Sequence, residues 1–138
     1  MPPVKGILET ALFVQDAERA AEFYQRIFGF EVIASSDRLH ALAIPGRQVL
    51  LLFKQGASIE RVPADEAALP GGIDAKGPTH LTFAIAAEDY DAWECWLGEN
   101  NLAIELRKNW ELGGRSLYFR DPDGHLLELA TPGVWTNY

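Results

Sequence analysis

The feature that most constrains the fold of this 138-residue chain is an internal repeat of predicted elements. Alternating apolar residues predict strands, and apolar residues three and four positions apart predict helices. The first half reads in order as strand Ile7–Val14, helix Ala17–Phe28 and strands Phe30–Ala34, Leu39–Ile44 and Val49–Phe53. The second half reads as strand Thr79–Ile85, helix Glu88–Leu97 and strands Leu102–Leu106, Ser116–Arg120 and Leu126–Ala130. Such a repeat indicates a duplicated βαβββ unit.

Residues with defined capping and turn preferences bound several of these elements. Asp16 is a favourable N-cap for the first helix, and Gly29 can end that helix in the left-handed conformation. The sequence DPDG at 121–124 predicts a hairpin turn, because proline presets φ and glycine accepts a positive φ. We therefore expect the last two strands of the chain to pair with each other.

We expect one α+β domain over residues 1–138, made of two modules at about 5–56 and 78–131. In each module the helix covers the apolar face of its sheet, so the opposite faces of the two mixed sheets could line one cupped, barrel-like site. The connector Gln55–Pro78 is rich in proline and glycine and is long for a compact domain. It predicts a lid, an exchange arm or a mobile linker, with a helical turn or two at Ala64–Leu69.

Composition excludes several classes of protein. The net charge of −8 disfavours binding to nucleic acid and to anionic membranes. We find no apolar run of membrane-spanning length and no signal-peptide pattern. The single cysteine, Cys95, cannot form an intrachain disulfide, and this fits a reducing, cytoplasmic location. Its apolar neighbours Trp93, Trp96 and Leu97 predict a buried, inert thiol.

Three polar side chains interrupt apolar strands at related positions. Glu9 and His80 lie near the start of the first strand of each module, and Glu128 lies in the last strand. Because side chains alternate along a strand, all three face away from the helix-covered side of the sheet. Two carboxylates and one imidazole that converge would suit a divalent ion such as Mn²⁺, Fe²⁺, Ni²⁺, Co²⁺ or Zn²⁺, with positions open for a small-molecule substrate.

For each of these residues alone, the alternative is a solvated carboxylate or a hydrogen-bonded core histidine. Their matching positions favour the metal site, where the ion would act as a Lewis acid on a substrate that chelates it through two oxygens. Glu9 or Glu128 could serve as the catalytic base. His40 has no carboxylate near it in sequence, and we expect His125, which lies in a turn, to bond backbone or solvent.

Further residues are candidates for contact with a substrate or a partner chain. Phe13 shares a strand face with Glu9. We expect Arg115, Ser116 and Tyr118 to approach the site on the strand that pairs with the Glu128 strand, and Trp110, which precedes Gly113-Gly114, to lie at its rim. Each could equally be a hydrogen-bonded or packed residue of its strand. Trp135 and Tyr138 in the C-terminal tail could pack on a partner chain or on the core.

Three stretches of the chain resemble the vicinal oxygen chelate superfamily, which includes glyoxalase I, extradiol dioxygenases, fosfomycin-resistance transferases and bleomycin-resistance proteins. They are ILETALFVQDAERAAEFYQRIFGF at 7–30, GPTHLTFAI at 77–85 and GGRSLYFRDPDGHLLELATPG at 113–133. The resemblance implies the glyoxalase/bleomycin-resistance/dihydroxybiphenyl dioxygenase fold of paired βαβββ modules. It also implies a metal-dependent lyase, transferase or dioxygenase with Glu9, His80 and Glu128 as metal ligands.

The chain departs from the family pattern at two positions. Leu50 would occupy the place of a fourth glyoxalase I ligand and cannot coordinate, which counts against lactoylglutathione lyase activity. Glu9 stands where dioxygenases and fosfomycin transferases usually have histidine, and the resulting site is harder and more negative. In the fosfomycin transferases, positions similar to Ser116 and Tyr118 serve a monovalent cation and the substrate.

The resemblance also bears on partners. Many members of this length are homodimers whose metal sites take ligands from both chains, so a homodimer with shared sites is implied. The alternative function is that of a metal-free, bleomycin-resistance-like protein, whose acidic cleft sequesters a small cationic or aromatic compound.

Overall fold

A computed structural model describes residues 1–57 and 74–138 of the chain. The chain divides into two compact units, Met1–Lys76 and Gly77–Tyr138, which we name module 1 and module 2. The division falls within the predicted connector. The helical turn expected at 64–69 and most of the proposed lid or exchange arm lie outside the described residues.

Module 1 is a four-stranded mixed sheet with one helix. Its elements are β1 Glu9–Val14, α1 Ala17–Phe28, β2 Glu31–Ser35, β3 Leu39–Ile44 and β4 Gln48–Lys54. The strand order is β1-β4-β3-β2, with β1 parallel to β4 and the other neighbours antiparallel. The predicted βαβββ order of the first half is therefore confirmed.

Helix α1 is fixed at both ends by the groups that the sequence indicated. The Asp16 carboxylate accepts a hydrogen bond from the backbone N–H of Arg19 at 3.0 Å, and Gly29 follows the helix with φ of 70°. The helix packs on β3 and β4. It covers the sheet face on which four leucines are buried: Leu12, Leu42, Leu50 and Leu52.

Alternation along the predicted strand Ile7–Val14 would put Leu8 on the same helix-covered face as Leu12 and Val14, and this expectation is wrong. Strand β1 begins one residue later, at Glu9, and Leu8 is 67% exposed. Strand alternation applies only to residues inside the paired segment, so it does not place the side chain of a residue that precedes the strand.

Module 2 repeats the arrangement of module 1. Its elements are β5 His80–Ala84, a 3₁₀ turn Ala87–Asp89, α2 Tyr90–Glu99, β6 Leu106–Asn109, β7 Arg115–Arg120 and β8 Leu126–Ala130. The strand order is β5-β8-β7-β6, with β5 parallel to β8. The hairpin of β7 and β8 is confirmed. The prediction of a strand at 102–106 is wrong, because β6 begins at Leu106.

The prediction of a buried thiol at Cys95 is also wrong, because the cysteine is exposed. The buried side of α2 is marked by Tyr90 and Leu97. A helix turns about 100° per residue, so Cys95 lies about 200° around the helix from Leu97. In the described part of the chain, neither helix combines the length and hydropathy needed to cross a bilayer.

The C-terminal tail of the chain binds its own module. The Tyr138 hydroxyl donates to the carbonyls of Ile85 at 3.2 Å and Ala130 at 3.4 Å, beside the ends of β5 and β8. Trp135 is 67% exposed. Tyr138 thus bonds to its own module while the residue stays 40% exposed, and contact of Trp135 with a partner chain stays a prediction.

Candidate metal centre

Strands β5 and β8 bring two of the three predicted ligands together. The parallel register pairs Thr82 with Glu128 and His80 with Leu126, so the side chains of these four residues share one face of the sheet. His80 Nε2 lies 3.2 Å from Glu128 Oε2. Glu128 is 4% exposed, whereas the side chain of His80 is 47% exposed. The pair therefore has one buried member and one that reaches solvent.

The backbone of β8 sets the tautomer of His80. Its Nδ1 lies 3.0 Å from the carbonyl oxygen of Leu126, and a carbonyl oxygen can only accept a hydrogen bond. Nδ1 therefore carries the proton, and in the neutral imidazole Nε2 presents a lone pair. A histidine that ligates a metal through Nε2 has the same arrangement.

Hydrogen-bond acceptors outnumber donor protons around His80 Nε2. The Thr82 hydroxyl donates to Glu128 Oε2 at 2.9 Å and lies 3.2 Å from His80 Nε2, but it has one proton for these two acceptors. Glu128 Oε1 is buried, and no donor of the described residues is placed to bond to it. A cation, either a second proton on the imidazole or a metal ion, would satisfy this arrangement.

Tyr118 lies beside this pair on β7. Its Cα is paired with that of Glu128, and its ring stacks on the His80 ring with centroids 6.1 Å apart. Burial, and after it the interaction of the hydroxyl with the Glu128 carboxylate, raise the pKa of Tyr118 to about 12. The phenol is therefore protonated at neutral pH, and it stays a candidate contact for a substrate oxygen.

Ser116 and Trp110 contact each other. The Trp110 indole N–H donates to Ser116 Oγ at 2.8 Å, and Ser116 is completely buried. Lys108 Nζ lies 3.6 Å from the centroid of the Trp110 ring. This geometry supports the interpretation of Ser116 as a hydrogen-bonded strand residue, which was one of the two alternatives that the sequence left open.

Arg115 does not approach the face that carries His80 and Glu128, so that prediction is wrong. Its guanidinium lies 3.5 Å from the centroid of the Tyr90 ring, and it donates to the Asp91 carboxylate at 3.1 Å. Both partners belong to α2, which covers the opposite face of the sheet. Because side chains alternate along a strand, Arg115 lies on the face opposite to Ser116 and Tyr118. On that face its positive charge interacts with the Tyr90 ring and the Asp91 carboxylate.

Glu9 is the first residue of β1, as His80 is the first residue of β5, and it is exposed. The same face of module 1 carries Phe13, whose ring stacks on Phe53 with centroids 5.6 Å apart. Phe13 packs against a buried cluster of Ala41, Leu51 and Phe53. Phe13 therefore packs on the core of its own module, and its contact with a substrate stays a prediction.

The position in module 1 that corresponds to Glu128 is Leu51, not Leu50. His80 pairs with Leu126, and Glu128 follows two residues later; Glu9 pairs with Val49, and Leu51 follows two residues later. Leu50 is completely buried on the helix-covered face, so its assignment was wrong by one residue. Like Leu50, Leu51 cannot coordinate a metal, and module 1 offers no ligand at this position.

His125 has a structural contact that the sequence did not identify. It is 1% exposed, and its Nδ1 accepts a hydrogen bond from the backbone N–H of Thr79 at 3.1 Å. Its own backbone N–H donates to Asp121 Oδ1 at 2.9 Å. The expected bond to backbone is confirmed, and it links the DPDG turn to the residue that precedes His80. His40 bonds to Ser35 Oγ at 3.1 Å.

No group of three or more His, Cys, Asp or Glu side chains is arranged to hold a metal within residues 1–57 and 74–138. The structure thus brings His80 and Glu128 together inside module 2, and the addition of Glu9 from module 1 stays a prediction. Thr82 is the contact that sequence reasoning missed. Its only signal was its spacing, two residues after His80 and therefore on the same face.

A family model described as the Glyoxalase/Bleomycin resistance protein/Dioxygenase superfamily matches residues 6–129. The chain belongs to this superfamily. Curated relatives in the superfamily include metallothiol transferase FosB of Staphylococcus saprophyticus, which is 27% identical over 129 residues, 93% of this chain and 78% of that protein. The FosB of Bacillus licheniformis is 27% identical over 133 residues, 96% of this chain and 79% of that protein.

Two solved structures share the fold of this chain. A structure described as lactoylglutathione lyase from Agrobacterium tumefaciens has a TM-score of 0.86 and 30% identity, and the match covers 98% of this chain and 99% of that one. FosX from Listeria monocytogenes, described as a fosfomycin resistance protein, has a TM-score of 0.68 and 24% identity, with 94% of each chain covered. The similarity to FosX therefore shows that the two proteins share a fold, and nothing more.

Proposed function

We propose that this protein is a divalent-metal-dependent enzyme whose ligands are Glu9, His80 and Glu128. The observation that carries the proposal is the pair in module 2. His80 Nε2 presents a lone pair 3.2 Å from a carboxylate oxygen, and the second oxygen of the same carboxylate is buried without a donor among the described residues. Two carboxylates and one imidazole suit Mn²⁺ better than a soft metal, so Mn²⁺ is the first ion to test.

We favour thiol transfer to a small, oxygen-chelating substrate as the reaction. The FosB relatives, which match this chain over more than 90% of its length, are named metallothiol transferases, and this name supports thiol transfer. The lactoylglutathione lyase likeness supports a lyase as the second candidate. Leu51 counts against the lyase, because a leucine stands where the resemblance implies a fourth ligand.

The chemistry of these side chains suits a divalent metal ion, and each side chain would have its own role in the reaction. His80 Nε2 and the Glu128 carboxylate would hold the ion together with Glu9, and a bound divalent ion would supply Lewis acidity towards the substrate. Tyr118, which is protonated at neutral pH, would donate a hydrogen bond to a substrate oxygen. Glu9 or Glu128 would accept a proton as the base.

Metal analysis of the purified protein tests the proposed site. We expect one Mn²⁺ per chain, and loss of it in Glu9→Gln, His80→Ala and Glu128→Gln. Glu105→Gln is a matched control, because Glu105 is an exposed carboxylate 3.1 Å from Arg120 and lies outside the site. Wild-type protein that binds no divalent ion at micromolar concentrations would contradict the proposal.

Activity measurements test the reaction class. We expect the Mn²⁺-loaded protein to consume a low-molecular-weight thiol, such as cysteine or glutathione, when fosfomycin or another small epoxide is present, and to lose this activity in Glu128→Gln. If lactoylglutathione forms from the hemithioacetal of methylglyoxal and glutathione while the thiol pool is unchanged with epoxides, the lyase replaces the transferase.

The metal-free binding protein is the alternative of a different class. The net charge of −8 favours a small cationic ligand. If the protein is such a binder, calorimetry should detect tight binding of bleomycin, and neither a chelator nor His80→Ala should change the affinity. The enzyme proposal expects no such binding.

A further inference from the structure

Thr82 contacts both members of the metal-binding pair in module 2. Its hydroxyl donates to Glu128 Oε2 at 2.9 Å and lies 3.2 Å from His80 Nε2. The parallel register pairs Thr82 directly with Glu128, so the short contact follows from strand geometry and needs no unusual backbone.

The contact makes the two oxygens of Glu128 different. Oε2 accepts the Thr82 hydrogen bond and faces His80, whereas Oε1 is buried with no donor among the described residues. A carboxylate ligand that is hydrogen-bonded at one oxygen keeps the other oxygen in a fixed direction. The Thr82 hydroxyl thereby limits rotation of the carboxylate beside His80 Nε2.

We propose that Thr82 is a positioning residue that holds the Glu128 carboxylate in the orientation in which it would bind the metal together with His80. The inference rests on the proposed function for its consequence in metal binding. It makes Thr82 a determinant of metal affinity although it is not itself a ligand. The His80 tautomer is set separately by the Leu126 carbonyl, so it is independent of Thr82.

Substitution at position 82 separates the hydroxyl group from the shape of the side chain. Thr82→Val keeps the branched shape and removes the hydroxyl, and Thr82→Ser keeps the hydroxyl and removes a methyl. We expect Thr82→Val to weaken Mn²⁺ binding by about 10- to 100-fold, as loss of a partner behind a metal ligand usually does. Thr82→Ser should bind within about threefold of wild type, since it keeps the hydroxyl donor. Titration calorimetry and the electron paramagnetic resonance spectrum of bound Mn²⁺ measure both.

The result that overturns the proposal is Mn²⁺ binding in Thr82→Val equal to wild type, or binding as weak in Thr82→Ser as in Thr82→Val. The second result would show that packing of the methyl group, not the hydroxyl, matters.

A measurement without metal distinguishes failure of this inference from failure of the proposed function. In crystal structures of metal-free protein, the Glu128 carboxylate should take one orientation in wild type and Thr82→Ser and a different or multiple orientation in Thr82→Val. An unchanged carboxylate in Thr82→Val would refute the role of Thr82. Wild-type protein that binds no Mn²⁺ would instead refute the metal site.

Discussion

At the scale of single residues, backbone groups control the chemistry of the candidate site. The Leu126 carbonyl fixes the proton of His80 on Nδ1, and the neighbouring residue His125 is bonded to Thr79. His80 and the residue before it are thus both hydrogen-bonded to the segment where β8 begins. The lone pair on Nε2 is a consequence of strand pairing, because it depends on which carbonyl lies opposite His80 in the register.

We predict that His125→Leu destabilises the protein by about 1–3 kcal/mol, because the Thr79 N–H loses its acceptor and the Asp121 turn loses a packed partner. His125→Asn should recover part of this loss, since the Asn carbonyl can accept in the place of Nδ1. Urea unfolding followed by tryptophan fluorescence measures both variants. Equal stability of His125→Leu and wild type would contradict the prediction.

Gly114 is a residue that no other type can replace without movement of the backbone. A Cβ at this position would lie 2.4 Å from Gly133 C and Val134 N, so the hairpin and the C-terminal tail would have to separate. We predict that Gly114→Ala costs about 1–3 kcal/mol of folding free energy.

The matched control for that substitution is Gly98→Ala in α2. Nothing lies within 4 Å of a Cβ at Gly98. Alanine there removes backbone freedom from the unfolded chain, and we expect a gain of about 0.5–1 kcal/mol. Chemical denaturation of the two variants should therefore give changes of opposite sign, and changes of the same sign would show that the close approach at Gly114 is unimportant.

At the scale of elements, the helix boundaries of α1 follow from local chemistry. Asp16 supplies an acceptor to a backbone N–H at the start of α1, and Gly29 takes the positive φ that ends it. Both effects act within a few residues of sequence, so the predicted bounds of α1 agree with the observed ones.

We predict that Asp16→Ala lowers the free energy of unfolding by about 0.5–2 kcal/mol, because the Arg19 N–H loses its capping partner. Glu22→Ala is the control, since Glu22 is an exposed carboxylate inside the same helix. It should change stability by less than about 0.5 kcal/mol. Similar losses in both variants, measured by thermal unfolding, would argue against a specific cap.

Strand β6 shows where element prediction failed. The apolar residues at 102–106 predicted a strand, but pairing with β7 begins with Leu106 opposite Tyr118 and continues through Arg107 and Lys108. The turn at Trp110–Gly114 sets this register, with Trp110 N–H bonded to the Gly114 carbonyl at 2.8 Å. An edge strand forms where its partner offers hydrogen bonds, and charged side chains are common there.

At the scale of the whole molecule, the proposed site requires ligands from both modules. Glu9 belongs to module 1, whereas His80 and Glu128 belong to module 2. A metal ion that binds the folded protein and not the unfolded chain stabilises the fold by mass action.

We predict that free Mn²⁺ at 100 times its dissociation constant raises the free energy of unfolding by about 2.7 kcal/mol. Glu9→Gln should remove most of this gain, and a chelator should abolish it in wild type. Thermal unfolding with and without Mn²⁺ measures the effect. Full stabilisation in Glu9→Gln would show that Glu9 is not a ligand and that the site lies within module 2.

We also predict a homodimer, from the resemblance to superfamily members that share sites between chains. Light scattering at micromolar concentration should give twice the mass of one 15.3 kDa chain. A monomeric mass would contradict this prediction.

The sequence by itself determined the repeat, the caps of α1, the β7–β8 hairpin and the face on which His80 and Glu128 lie. These features depend on turn chemistry and on side-chain periodicity, which act over short distances along the chain. Only the tertiary structure decided that Leu51 corresponds to Glu128, that Arg115 binds α2, that Cys95 is exposed and that Thr82 bonds to Glu128. Each of these depends on register or packing between segments that are distant in sequence, and a shift of one residue in that register reverses which face a side chain occupies.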